Sequence, residues 1–204
     1  MKRFLTSMVM TAVCCILLAA RDDDPSSRIV PHPQSIELAR KSPLGGSFKV
    51  AGCTINYDSS LDGLSRAAIE SFASKLTATT GKSVSCASPV GLVKSARNGA
   101  VKGLVFFKDQ SLGSEEYTIT VNEKSAIVAA GGFNGILYAI QTIKQMLPAA
   151  VYGKRAVENE NWRLPCLTVR DKPRFRYRGL LLDCSRHFFS IDEIKRCLDV
   201  MAMF

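Results

Sequence analysis

The stretch Arg178-Gly-Leu-Leu-Leu-Asp183, running on into Ser185-Arg186-His187-Phe188-Phe189, limits what this chain can fold into more than any other. Leu180 to Leu182 form an unbroken apolar run with charge at both ends. That is the pattern of a short strand buried on both faces, not of one with a solvated side. Ser190-Ile-Asp-Glu193 follows directly, and S-x-x-E ahead of an apolar-periodic segment is a capping box. Ile194, Cys197, Leu198 and Met201 then recur at helical spacing. A buried strand that feeds straight into a helix is the repeating unit of α/β architectures. Asp192-Glu193 looks like a pair of catalytic carboxylates, but it falls in a first helical turn, where the macrodipole favours negative charge. Capping accounts for both residues.

The chain before this unit reads as one α+β domain. Ile29-Val30-Pro31-His32-Pro33 begins it, and Phe48 to Tyr57 alternates as a strand with Gly52 as a bulge. Leu64, Ala68, Phe72 and Leu76, widened by Ile69, mark an amphipathic helix that Gly81 ends. Gly103 to Phe107 reads as a buried strand. Tyr117 to Val121 and Ala126 to Ala130 flank the turn-like segment Asn122 to Ser125, giving a hairpin. Phe133, Ile136, Leu137, Ile140, Ile143 and Leu147 mark a second helix, closed by Pro148. Strands and two helices in this order predict a mixed sheet with both helices on one face.

Residues 1–20 carry Lys2 and Arg3 followed by an apolar run from Phe4 to Ala20, the form of an export signal. Residues 21–28 are a polar, Pro-containing linker. Removal of the signal leaves no membrane span, and places the product in the periplasm or outside the cell. Leu18-Ala19-Ala20 resembles the start of a lipoprotein processing box, but Arg21 stands where the lipid-bearing cysteine would be, which disfavours lipid anchoring. The formal charge of +9 falls to +7 without Lys2 and Arg3. Its Lys and Arg residues are scattered and accompany no nucleic-acid motif, so no nucleic-acid partner is expected. Cys53, Cys86, Cys166, Cys184 and Cys197 are odd in number and form no C-x-x-C pair, so no metal and no cofactor are expected. Cys53 with Cys86 is one pairing open to an exported chain. Cys184 and Cys197 read as small buried hydrophobes.

Several ordered phrases resemble the β-N-acetylhexosaminidases of glycoside hydrolase family 20. Glu116-Tyr-Thr-Ile119, the hairpin, Gly132-Phe-Asn-Gly-Ile-Leu-Tyr-Ala-Ile-Gln-Thr-Ile143, Leu147-Pro148 and Leu164 to Asp171 fall in that family's order. Arg178-Gly-Leu-Leu-Leu-Asp183 with Ser185-Arg186-His187 resembles its first barrel strand. The resemblance covers roughly residues 29–204 and implies an accessory domain over 29–170 and the start of a (β/α)8 catalytic barrel over 171–204. A complete barrel needs roughly 250 residues, so the expectation is a barrel truncated after its first βα unit. It further implies hydrolysis of terminal N-acetylhexosamine from glycans, with the substrate's acetamido oxygen as nucleophile. An Asp-Glu pair orients that group and supplies the proton; none is expected in this chain outside the capping box, so no catalytic residue is assigned and the chain itself is expected to be inactive. Arg178 is implied to hold hydroxyls of the terminal sugar, for which a planar five-donor fork is suited. The residues alone leave a rim salt bridge open for it. Asp183, Arg186 and His187, at the other end of the run, are expected to support the site as a hydrogen-bonded network. The alternative to an enzyme fragment is a non-catalytic carbohydrate-associated module.

Overall fold

The computed structural model describes residues 25–38 and 46–204; the expected signal and residues 21–24 of the linker lie outside them. Strands β1 (Ser35–Leu38), β2 (Ser47–Lys49), β3 (Thr54–Tyr57), β4 (Ser85–Ala87), β5 (Gly103–Lys108), β6 (Tyr117–Val121), β7 (Ser125–Ala130), β8 (Arg163–Pro165) and β9 (Leu167–Asp171) carry the sheets. Helices α1 (Gly63–Thr80), α2 (Leu92–Arg97), α3 (Phe133–Met146) and α4 (Ile191–Met201) join them, with short 3-10 turns at Pro25–Arg28 and Ala149–Tyr152. Seven strands form a mixed sheet in the order β1-β9-β6-β7-β5-β3-β4, and β2 pairs with β8 in a small second sheet. The β7, β5, β3 and β4 neighbours run parallel; the pairs on the β1 side are antiparallel.

The parallel centre follows from composition. In β5, Leu104, Val105, Phe106 and Phe107 are all buried, as a strand covered on both faces requires. Leu104 and Phe106 join the main core with Val128, Ala130, Phe72 and Ile143. Val105 and Phe107 face the other way and meet Leu92, Ala96 and Ala129. So α1 and α3 share one face, as the sequence pattern predicts, while the short helix α2 covers the opposite one. The hairpin also holds: Tyr117 pairs with Ala130 and Val121 with Ala126. Its turn is set by the Asn122 side chain, whose Oδ1 accepts from the Lys124 and Ser125 amides, each at 2.9 Å.

Three expectations need correction here. Leu64, expected on the buried stripe of α1, is 66% exposed. Four-residue steps overshoot a 3.6-residue turn by about 40° each, and the buried line instead runs through Ser65, Ile69, Phe72 and Leu76. Ser65 is admitted because Asp62, the N-cap, binds both its amide and its hydroxyl at 2.8 Å. Gly81 ends the helix in the left-handed conformation, φ 66°. Next, Phe48 to Tyr57 is not one bulged strand. Ala51-Gly52 is a turn with Gly52 at φ 74°, and the strands on either side belong to different sheets.

The third correction falls on the C-terminal unit. Leu180 to Leu182 form no strand, and Leu181 is 95% exposed. A strand takes its definition from a hydrogen-bonded neighbour, and no described strand lies beside this run. Cys184 is accordingly exposed and Cys197 half-buried, not core hydrophobes. The helix does form as predicted. Ser190 Oγ accepts from the Glu193 amide while Glu193 Oε2 accepts from the Ser190 amide at 2.8 Å, a complete capping box. None of the α4 side chains is buried.

Candidate functional site

Helix α3 builds the site. The approach to the helix and its first turn carry Gly131, Gly132 and Gly135, because another segment of chain lies against them. A Cβ on Gly131 would stand 2.0 Å from the Gly113 carbonyl oxygen, and one on Gly135 would stand 2.6 Å from that of Glu116. Both are closer than real Cβ contacts allow. The loop before β6 therefore rests directly on the helix start, an approach that only hydrogen in place of a methyl permits. This brings Glu115 beside Tyr138, one turn further along α3. The Tyr138 hydroxyl donates to Glu115 Oε1 at 2.9 Å.

Arg178 completes the cluster. Its Nη2 donates to Glu115 Oε1 at 2.8 Å and to the Tyr138 hydroxyl at 2.9 Å, and Nη1 donates to the Phe175 carbonyl. Its guanidinium carbon lies 5.8 Å from the centre of the Tyr138 ring, within range of a cation–π contact. The hydrogen bond from Arg178 and then that from Tyr138 hold the Glu115 carboxyl below the usual glutamate range. Burial, followed by the hydrogen bond to Glu115, pushes the Tyr138 phenol up. The guanidinium pKa is raised in turn, chiefly by Glu115. Arg178 thus lies where the sequence left two uses open, and an ion pair with a carboxylate is present. Glu115 was not expected to matter. The signal that points to it is the glycine pair Gly131 and Gly135, which marks close backbone approach.

The cluster opens onto a cleft of about 880 Å³ between α3, the Ile29–Gln34 entry segment and the C-terminal end of the chain. Arg178, Tyr138, Gln141, Arg174 and Lys172 line it, so its polar wall is rich in donors. Gln145 ties the two sides of this cleft. Its Nε2 donates to the Val30 carbonyl at 3.0 Å and to that of Met203 at 3.1 Å, while its Oε1 accepts from the Val30 amide. The Arg178 side chain is 42% exposed and so reaches the open side. Deeper in, the Tyr117 hydroxyl is shared between Thr142 Oγ1 at 2.7 Å and Asp171 Oδ2 at 3.2 Å; burial is the main cause of a phenol pKa raised well above normal.

Asp183 and Arg186 are brought together. Asp183 Oδ2 accepts from Arg186 Nε, and its Oδ1 accepts from the Ser185 amide at 2.9 Å and the Arg186 amide at 3.2 Å. These bonds lower the Asp183 carboxyl pKa, the one from the Arg186 side chain most. His187 stands edge-on to Phe189 at 4.9 Å and is exposed. The exposed stretch 179–181 and the half-buried Leu182 separate these residues from Arg178 in the chain. Asp192-Glu193 belongs to the cap of α4, and Ser190 holds the Glu193 carboxyl pKa down. Among the described residues, no three His, Cys, Asp or Glu side chains form a group able to hold a metal ion, and no helix is long and apolar enough to cross a membrane. The five described cysteines are free thiols, Cys53 and Cys86 included. Burial pushes the Cys53 thiol up to about 11.

Comparison with known proteins agrees with this layout. Residues 26–172 match glycosyl hydrolase family 20, domain 2, and residues 175–204 match glycosyl hydrolase family 20, catalytic domain. A beta-hexosaminidase of Porphyromonas gingivalis is 36% identical over 93 residues, covering 46% of this chain and 12% of that protein. One from Akkermansia muciniphila is 31% identical over 111 residues, covering 53% and 21%. Among solved structures, the GH20 beta-N-acetylhexosaminidase of Streptomyces coelicolor A3(2) superposes with a TM-score of 0.71 at 27% identity, over 88% of this chain and 33% of its own. A Streptomyces plicatus beta-hexosaminidase, solved with its product GlcNAc, gives 0.70 at 26% over the same shares. The chain spans a third or less of the length of each of these relatives. With a domain match covering most of its residues and a catalytic-domain match covering those that follow, the chain belongs to glycosyl hydrolase family 20.

Proposed function

We propose that this chain is the accessory domain and first catalytic segment of an exported β-N-acetylhexosaminidase, which removes terminal N-acetylhexosamine from glycans by substrate-assisted retaining catalysis. In this reading residues 1–20 are the export signal, 29–170 the accessory domain and 171–204 the opening unit of the catalytic barrel. The observation that carries it is Arg178. It stands near the head of the segment matching the catalytic domain, and its guanidinium borders an open, donor-rich cleft. A planar fork of five donors can fix two vicinal hydroxyls in one geometry, which is what recognition of a terminal pyranose asks of it. Asp183 and Arg186, already bonded to each other, support the far end of the same segment, with His187 beside them. The GlcNAc bound by the Streptomyces plicatus relative makes N-acetylglucosamine the ligand to try first.

Residues 1–204 by themselves do not turn over substrate in this reading. Their single Asp-Glu sequence, Asp192-Glu193, is consumed by the capping of α4. No other adjacent pair is left to orient an acetamido group and deliver a proton. The test is an assay of the purified chain on a chromogenic N-acetylglucosaminide. No release above buffer is expected, and release at a rate clearly above it would overturn the inactivity. A chain that binds N-acetylglucosamine without turnover fits the reading; a chain that neither binds nor cleaves removes Arg178 from sugar recognition.

A further inference from the structure

We propose that Glu115 and Tyr138 are positioning residues for Arg178, placing part of the sugar-recognition apparatus on the accessory domain. The inference rests on the reading of Arg178 as a sugar-binding residue. An arginine side chain has four rotatable torsions, and fixing them costs rotamer entropy. A site that has already fixed it binds more tightly than one that must do so on ligand arrival.

The geometry suits that task. Arg178 spends three hydrogen bonds on the protein: to Glu115 Oε1 at 2.8 Å, to the Tyr138 hydroxyl at 2.9 Å, and to the Phe175 carbonyl. Nη2 gives both of its hydrogens to Glu115 and Tyr138, so of the five N–H donors in a guanidinium two remain, Nε–H and one on Nη1, on different edges, and each can meet a single sugar hydroxyl. The clamp is closed on itself, because the Tyr138 hydroxyl that accepts from Arg178 donates to the same Glu115 oxygen. A lone exposed ion pair is loosely held. Here the ring of Tyr138 under the guanidinium, the backbone acceptor of Phe175 and the close packing of Gly131 and Gly135 against the Glu115 loop fix position as well as charge. Both partners come from the segment matching domain 2, whereas Arg178 comes from the segment matching the catalytic domain. Accessory-domain docking and sugar recognition thereby become one event.

The experiment titrates N-acetylglucosamine into the whole 204-residue chain while following the Arg178 guanidinium by NMR. The wild-type chain is compared with Glu115→Ala, Tyr138→Phe and Arg178→Lys. Tyr138→Phe keeps the ring and removes only the hydroxyl, so a folding defect is not at issue there. The amide spectrum of β5 to β7 reports whether Glu115→Ala keeps its fold. The expected result is a sugar-dependent shift of the Arg178 signal in wild type, with apparent affinity weakened about ten-fold in each clamp variant, the scale of one charged hydrogen bond. Equal affinity in wild type and both clamp variants would overturn the positioning role and leave Arg178 as the sugar-binding residue. No response in wild type would remove Arg178 from sugar binding, and the proposal with it.

Discussion

The carboxylate of Glu115 and the guanidinium of Arg178 meet at 2.8 Å although 63 positions separate them in the chain. The contact joins a loop of the domain 2 segment to the residues that follow its last strand. It is shorter than the Arg178–Tyr138 and Gln145–Met203 contacts, which also link the two family-matched parts.

Arg178→Lys keeps the positive charge and loses the planar fork. Three acceptors now share one guanidinium, and an ammonium on a different stem cannot reach them in the same geometry. The sugar-dependent shift is expected to disappear, while the unfolding free energy falls by about 0.5 kcal/mol, as for a partly exposed pair. Melting and titration on the same preparation check both halves. A loss of stability with the sugar response intact would mark Arg178 as a structural strut.

Gly135→Ala addresses the support beneath the clamp. The added methyl would lie 2.6 Å from the Glu116 carbonyl oxygen and 3.2 Å from the Ala130 methyl. Because a backbone atom cannot swing aside, the loop must lift, at a cost of about 1–3 kcal/mol. The melting temperature should fall, and the Tyr138–Glu115 contact should loosen with it. An unshifted Tyr138 resonance in this variant would contradict the proposed dependence.

Gln145→Leu removes an amide that holds Val30 on one side and Met203 on the other. Two backbone carbonyls and one amide lose their partner at a water-accessible cleft, so the cost is modest, about 1–2 kcal/mol. Faster hydrogen exchange is expected at both the Val30 and Met203 ends, with β5 and β7 unchanged. Release of one end alone would show that the two are held independently.

Acid should open the clamp before it unfolds the sheet. The Glu115 carboxyl pKa is lowered by Arg178 and Tyr138 from its model-peptide value of 4.5. A group depressed in the folded state contributes stability that is fully present above the unfolded pKa and lost as pH falls through the folded one. The Arg178–Glu115 contact is therefore expected to hold near neutrality and weaken below the ordinary glutamate range, read from the Arg178 guanidinium resonance. A guanidinium signal independent of pH across that range would argue against a charge-dependent contact.

Residues 175–204 should exchange faster than the domain 2 segment even at neutral pH. Phe175, Tyr177, Leu180, Leu181, Phe188 and Leu198 are all exposed, and α4 buries no side chain. Local opening is cheap where few apolar contacts are lost. Equal protection in β5 and α4 would contradict this.

Much of the domain 2 segment was legible because its signals are local. The hairpin, the burial of β5, the ends of α1 and α3 and the capping box of Ser190 and Glu193 are each written within a few residues. Legibility failed where a neighbour decides. Ser35 to Leu38 is a strand because β9 lies beside it, and nothing in its four residues announces that. Leu92–Arg97 is too short for periodicity to speak, yet its Leu92 and Ala96 cover the second face of the sheet. Leu180–Leu182 shows the opposite error, a strand pattern with no described neighbour to pair with. Arg178 could be singled out from family phrasing, but Glu115 could not, because its role depends on a loop laid across a helix start.

The pairing of β1 with β9 has a kinetic consequence. Ser35 lies opposite Arg170 and Leu38 opposite Leu167, so the first strand of the sheet finds its neighbour only in the last. During synthesis β1 has no partner until Asp171 has emerged, and a loop of nearly the whole domain must close before that ladder forms. The sheet closes late, from its far edge. Until that strand arrives β1 stays an unpaired edge open to proteases, although β5, β6 and β7 can already pair with one another.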